Sequence, residues 1–215
     1  MLKKILLLAA LVSSVVLAAG VYRFNFTHDD IYVVQENGQV VPLATQDNTS
    51  VMRTLFSIYT DKYWQIELPD SGLKVPLTEL KNDNGQHFAL GRYHQGEERG
   101  VVRVDYPRIT VLNFTFVEDE MMFAVPFSVS NQGSGVFWYL GLFQMNTRYG
   151  DIKQLDTLWV GDRVVITALN TDEPFDVTSS LQLSYLKHSV KQSMAEKPVE
   201  VIKTLLEVTP TGFVK

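Results

Sequence analysis

Residues 121–145 read MMFAVPFSVSNQGSGVFWYLGLFQM, two apolar runs joined by a glycine-rich turn, and this stretch decides the fold. Taken with period two, the first run puts Met121, Phe123, Val125, Phe127 and Val129 on one face and Met122, Ala124, Pro126 and Ser128 on the other. The second run is apolar on both faces: Val136, Trp138, Leu140 and Leu142 oppose Phe137, Tyr139, Phe143 and Met145. That pattern predicts a central strand covered on both sides rather than one facing water. Asn131, Gln132, Gly133, Ser134 and Gly135 join the arms, and the expected short hairpin loop draws on their tolerance of positive φ. Pro126 and the β-branched and aromatic content argue against a buried helix, and Pro126 marks a bulge or a locally unpaired edge.

Working outward, a chain of 215 residues that is 46% hydrophobic can bury one good core. The formal charge of -5 becomes more negative once a leader carrying Lys3 and Lys4 is removed. Such an acidic balance does not suit nucleic acid or anionic lipid. Cysteine is absent, which excludes disulfides, thiolate catalysis, Cys-ligated zinc and a lipidated N-terminal cysteine.

Residues 1–20 begin with Lys3 and Lys4, continue through an apolar run from Ile5 to Leu17, and end in small residues. They read as a secretory signal peptide, cut after Ala18 or Gly20. The alternative is an uncleaved inner-membrane anchor, because with Val21 and Tyr22 the apolar run approaches the ~20 residues that span a bilayer. Residues 21–215 are then expected to form a single β-rich domain.

Short strands are expected over 21–27, 31–35 and 39–44, with a turn at Glu36, Asn37 and Gly38 between the last two. Val51, Met52, Leu55, Phe56 and Tyr59 recur at helical spacing behind Ser50 and predict one short helix. Further strands are expected over 62–68, 73–80, 86–95, 101–105, 109–117, 158–169, 177–188 and 199–208. The last also suits a helix face through Ile202, Leu205 and Leu206. Regularly spaced strands with turn signals predict an all-β fold, a mostly antiparallel sandwich or open barrel. A membrane β-barrel alternates apolar and polar residues on each strand, which the doubly apolar second run does not.

Gly133-Ser134-Gly135, Phe137, Tyr139-Leu140, Gly161-Asp162-Arg163-Val164, the strand end at 183–188, Met194-Ala195 and Pro198 resemble a pattern of exported bacterial proteins and lipoproteins of unassigned function. There a Gly-Ser-Gly turn leads into an aromatic strand, a Gly-Asp-Arg-Val segment and a late Pro-containing strand. The resemblance covers about the C-terminal third and implies an exported β-rich domain, with no activity attached. Many of those proteins carry an Asp-Gly-rich loop before the turn. Here Glu118-Asp119-Glu120 stands in its place without glycine, which speaks against a calcium loop.

Chemistry-bearing residues are sparse. His87 and His94 lie at an odd separation on one expected strand, point to opposite faces and so cannot share a metal. His28 beside Asp29 and Asp30 suits a cation, but a polar turn accounts for the same residues, and His188 has no nameable partner. Gly133-Ser134-Gly135 lacks the G-x-S-x-G form of a nucleophile elbow, so Ser134 reads as turn chemistry. Asp162 and Arg163, adjacent on an expected strand, face opposite ways and make a poor mutual pair. Their structural reading has Gly161 as a bulge, Asp162 accepting backbone N–H groups and Arg163 paired with a carboxylate elsewhere. The carboxylate pairs Asp29-Asp30, Glu97-Glu98, Glu118-Asp119-Glu120 and Asp172-Glu173 all fall in expected turns, where charge is solvated.

The expectation is therefore an exported, periplasmic β-domain that binds a ligand or assembles with an envelope protein, rather than an enzyme. It needs no cofactor or metal, has no nucleic-acid partner, and touches the membrane only through residues 1–22 if the leader is uncleaved. Gly133, Ser134, Gly135, Trp138, Gly161, Asp162 and Arg163 are read as structural. The alternatives are a periplasmic hydrolase with a site assembled from distant residues, and a membrane-anchored envelope component. A cleft lined with His, Asp and Ser would favour the hydrolase, and an exposed apolar strand would favour assembly.

Overall fold

The computed structural model describes residues 32–34, 40–42, 63–83, 86–114, 119–146, 148–172 and 177–214, the first two stretches by their backbone alone. The leader, the expected strand at 21–27, the expected helix after Ser50, and His28, Asp29 and Asp30 lie outside the described residues. The chain divides into two units, residues 1–50 and 51–215. In the first, β1 (Tyr32–Val34) pairs antiparallel with β2 (Val40–Pro42), the hairpin expected around Asn37.

Among the described residues the second unit is antiparallel β apart from one 3-10 turn. Its strands are β3 (Gln65–Glu67), β4 (Lys74–Pro76), β5 (Glu79–Asp83), β6 (Gln86–Gln95), β7 (Glu98–Val104), β8 (Thr110–Leu112), β9 (Glu120–Ser130), β10 (Phe137–Asn146), β11 (Ile152–Asp162), β12 (Val165–Thr171), β13 (Ser180–Lys187), β14 (Glu200–Thr209) and β15 (Gly212–Phe213). A seven-stranded sheet runs β11-β10-β9-β7-β6-β5, with β8 also pairing β9, and a four-stranded sheet runs β12-β13-β14-β15. β3 and β4 form a separate hairpin, and among the described residues no sheet closes into a barrel. β14 is a strand, which removes the helical alternative for 199–208.

The quoted stretch is the β9–β10 hairpin, Phe137 opposite Val129 and Met145 opposite Met121. As its doubly apolar pattern requires, it is covered on both sides. One face carries Phe123, Val125, Phe127, Tyr139, Phe143 and Met145, which pack with Trp64, Ile66, Leu68, Val75 and Leu77 of the β3–β4 hairpin. The other carries Ala124, Leu140 and Leu142 against Ile166, Leu169, Leu181, Leu183, Val208 and Phe213 of the four-stranded sheet. In the larger core Trp64 meets Phe123 and Phe143 edge-on at 5.6 and 5.2 Å, and those two rings stack at 5.3 Å. Each such pair adds about 0.5–1.5 kcal/mol to the burial itself. Trp138, expected at a fully covered position, is only half-buried at the margin of the smaller core.

Pro126 sits where its missing N–H costs nothing. β7 pairs with β9 as far as Phe127 and β8 takes over at Ala124, so residues 125 and 126 lie in the gap left by the 3-10 turn Tyr106–Arg108. The Pro126 carbonyl still accepts the Asp105 N–H at 3.0 Å. A strand residue directs its N–H and C=O to one side, so the proline ring nitrogen faces that same interruption.

Three further expectations need correction. The loop joining β9 and β10 spans 131–136 and turns without left-handed glycines: positive φ falls at Gly72, Gly96 and Gly150, not at Gly133 or Gly135. A loop of this length can reverse the chain with ordinary dihedrals, helped by the Asn131 Oδ1 that accepts the Gly133 N–H at 2.9 Å. Next, the strand expected over 158–169 is two strands, β11 and β12, belonging to different sheets, because Arg163 takes φ +49° between them. That dihedral also overturns the third expectation. Once the chain leaves strand geometry after Asp162, the two side chains no longer diverge, and Arg163 Nε lies 3.2 Å from Asp162 Oδ2. The pair attracts by charge, but the Nε is not aligned to donate a hydrogen bond.

Candidate binding groove

At the loop end of β10 and β11 the larger core opens to solvent in a cleft walled by aromatic rings. Phe137 and Tyr139 come from β10, Trp159 and Thr157 from β11, and Pro69 and Asp70 from the turn joining β3 to β4; together they line a groove of about 450 Å³. This is within the size range of small-ligand clefts. A smaller recess of about 130 Å³ adjoins it, sharing Pro69, Asp70, Phe137 and Tyr139 and adding Tyr93, Gln95, Glu98 and Asn131.

A bulge puts Trp159 in the groove. Trp138 pairs with Gly161 but Tyr139 pairs with Trp159, so Val160 is an extra residue on β11. With regular register Trp159 would oppose Leu140 and face the smaller core; the inserted residue turns it onto the face of Tyr139 instead. Its ring meets Tyr139 edge-on at 5.2 Å and Phe137 at 5.9 Å, yet it stays 52% exposed. Tyr139 is in turn stacked on the fully buried Phe127 at 5.4 Å, which fixes the platform to the core.

The facing turn is equally fixed. The Leu68 and Gly72 N–H groups bond to the Leu73 and Leu68 carbonyls at 2.9 and 2.8 Å, and Gly72 supplies the positive φ of 67° that closes the turn. Asp70 is thereby held at the tip, beside the rings. Burial raises the Tyr139 hydroxyl above its ordinary value, with the Asp70 charge adding to the effect; burial and then Glu98 do the same for Tyr93. Both hydroxyls therefore keep their protons at neutral pH. Tyr93 donates to Glu98 Oε1 at 3.3 Å, and Asn131 Nδ2 donates to the same oxygen at 3.4 Å. Tyr139, only 6% exposed, makes no hydrogen bond through its hydroxyl among the described residues.

Of the residues singled out in the sequence, Phe137, Tyr139 and Glu98 line the groove or its recess, and the other described ones lie outside it. Gly133, Ser134 and Gly135 are in the loop between β9 and β10, where a Cβ on Gly135 would come within 2.5 Å of the Phe137 ring. Trp138 points to the opposite face. Gly161 follows the bulge that aims Trp159, and Asp162 accepts the Val136 N–H at 2.9 Å while the Arg163 N–H reaches the Val136 carbonyl at 2.7 Å. His87 and His94 are exposed on β6, and His188 Nε2 lies 2.8 Å from the Glu196 carbonyl. No group of three or more metal-ligating side chains occurs among the described residues. Trp159 and Asp70 carry no motif in the sequence, and Glu98 reads there only as half of a solvated carboxylate pair; the one available signal is a tryptophan two residues before Gly161, where a bulge is expected.

No family model, curated protein or solved structure matches the chain.

Proposed function

We propose that the chain is an exported β-domain that acts by binding, with the groove at Trp159 as its ligand site. The supporting observation is a large aromatic ring held half-exposed on a buried aromatic stack, beside a carboxylate. Burying Trp159 fully would remove more apolar surface from water, so its exposure is a cost to the free protein that a ligand relieves. Export rests on the leader composition and on the resemblance of the C-terminal third to exported proteins, and a periplasmic location follows if the leader is cleaved. The hydrolase alternative is less favoured, because the groove brings together Asp70, Ser71 and Glu98 but no histidine among the described residues.

Two measurements test this reading. Intact mass after cell fractionation should show a chain shortened to near Ala19 or Val21 in the soluble envelope fraction; full-length chain in the membrane pellet would replace export with anchoring. Trp159→Ala should reproduce the phenotype of a gene deletion while the protein stays folded and abundant, its melting midpoint lowered by no more than a few degrees through loss of the ring contacts with Tyr139 and Phe137. A variant indistinguishable from wild type in the cell would remove the groove as the functional site.

A further inference from the structure

Resting on the reading of the groove as a ligand site, we infer that its ligand is an uncharged or amino-bearing saccharide, with one pyranose face lying on Trp159. The argument starts from what the groove offers. Its apolar wall is a platform, not a cage: the Trp159 ring packs on those of Tyr139 and Phe137 at 5.2 and 5.9 Å between centroids, which leaves no space between it and either ring for a ligand atom. A ligand must therefore lie on the exposed Trp159 face. Pyranose rings present a flat row of polarised C–H groups on one face, which suits the electron-rich face of an indole, and hydroxyls around the rim.

The polar groups of the groove match that rim. Asp70 and Glu98 are carboxylates, acceptors only, so they call for a ligand rich in donors. Tyr139 supplies a hydroxyl that reaches the groove surface, makes no hydrogen bond within the described residues and can both donate and accept. Sugar hydroxyls satisfy both kinds of group at once. A proline-rich peptide is the nearest competitor for an aromatic groove, but its backbone offers mainly carbonyl acceptors, which two carboxylates repel. An extended strand added to the sheet is disfavoured as well, because β11 carries bulges at Leu155 and Val160 that break its outer edge. Acidic saccharides are excluded by the same carboxylates. The bound sugar would be held at its flat face by Trp159 and at its edge by Asp70, with Tyr139 reaching it from below.

The test is calorimetric titration of the full chain with four tetrasaccharides, β-1,4-linked glucose, N-acetylglucosamine, glucosamine and glucuronic acid, and with a proline-rich peptide. At least one of the first three should bind, Trp159→Ala and Asp70→Asn should each weaken that binding at least tenfold, and Tyr139→Phe should weaken it severalfold. Trp159 is half-exposed and Asp70 lies on a surface turn, so Asp70→Asn should melt like wild type and Trp159→Ala only a few degrees lower, and titration well below both midpoints keeps the comparison clean. Binding of the glucuronic acid chain or the peptide alone, with the same loss in Trp159→Ala, would overturn the saccharide assignment and leave the groove as the site. Saccharide binding that survives Trp159→Ala undiminished, or no binding by any of the five, would overturn the groove together with the inference.

Discussion

Asp156, on β11, accepts the backbone N–H of Phe213 at 2.9 Å with Oδ2 while its Oδ1 takes the N–H of Thr157 at 2.7 Å. One carboxylate of the large sheet thus fastens the C-terminal hairpin of the small sheet, and Phe213 is buried in the core between them. The fit is close enough that a Cβ on Gly212 would lie 2.8 Å from the same oxygen. Hydrogen bonds to a charged acceptor contribute about 1.5–3 kcal/mol. Asp156→Ala should lower the melting midpoint by several degrees and expose the C-terminal residues to hydrogen exchange before the rest. A midpoint within a degree of wild type would show that Phe213 is held by burial alone.

Asp105 predicts a pH dependence. Its carboxylate is 5% exposed and pairs with Arg108 across the 3-10 turn; burial raises its pKa above the ordinary carboxylate value, with the Arg108 charge opposing. The folded protein therefore holds this proton more tightly than the unfolded chain. The stabilisation this provides is complete below the ordinary value and is lost as pH rises through the raised folded one. Asp105→Asn carries no such proton, so the stability of wild type minus that of the variant should fall with rising pH across that window and then level off. Denaturant titrations of both proteins at a series of pH values check this, and a difference that grows with pH would reverse the sign of the argument.

Arg163 separates charge from backbone strain. A left-handed residue with a side chain costs roughly 1–2 kcal/mol, part of which glycine gives back through its freer unfolded chain. Arg163→Ala loses the attraction to Asp162 and keeps the strained dihedral, whereas Arg163→Gly loses the attraction and relieves the strain. The glycine variant should be the more stable of the two by about 1 kcal/mol in chemical denaturation. Equal stabilities would mean that the turn relaxes out of φ +49° when the guanidinium is gone.

Phe143 and Trp138 rank in an order opposite to their size. Phe143 is fully buried between Trp64 and Phe123, so truncation to Ala should cost about 3–5 kcal/mol. Trp138 is half-buried and should cost less when truncated, contrary to what its place in an apolar run suggests. Melting curves of the two alanine variants decide the order.

The central hairpin was legible because period-two patterning is a local signal and both faces of β10 wrote it plainly, Leu140 and Leu142 against Tyr139 and Phe143. Pro126 announced an interrupted neighbour, and the interruption is there. The register of β11 was only partly legible: Gly161 marked a bulge, but the extra residue is Val160, which decides whether Trp159 faces core or solvent, and the order of side chains does not say which residue is inserted. The loop chemistry misled for a related reason. Gly133 and Gly135 suit a tight turn, but loop length is set by where the strands stop pairing, and Gly135 answers to the Phe137 ring rather than to a dihedral. The groove escaped notice because Asp70, Glu98, Tyr139 and Trp159 meet only through pairings between strands distant in sequence.

Because β9 and β10 form the common wall of both cores, synthesis order matters to this chain. β3 to β7 emerge before the wall they pack against exists, whether from the ribosome or, for an exported chain, from the translocation channel. At about 5–20 residues per second the interval from Trp64 to Asn146 is roughly 4–16 s. Through that interval Trp64, Ile66, Val75, Val102 and Val104 have no covering layer, and their strands offer open edges to one another and to neighbouring chains. A holding chaperone that recognises short aromatic and β-branched runs would find its best-timed target in residues 64–104, and release would be set by the appearance of the second arm of the hairpin.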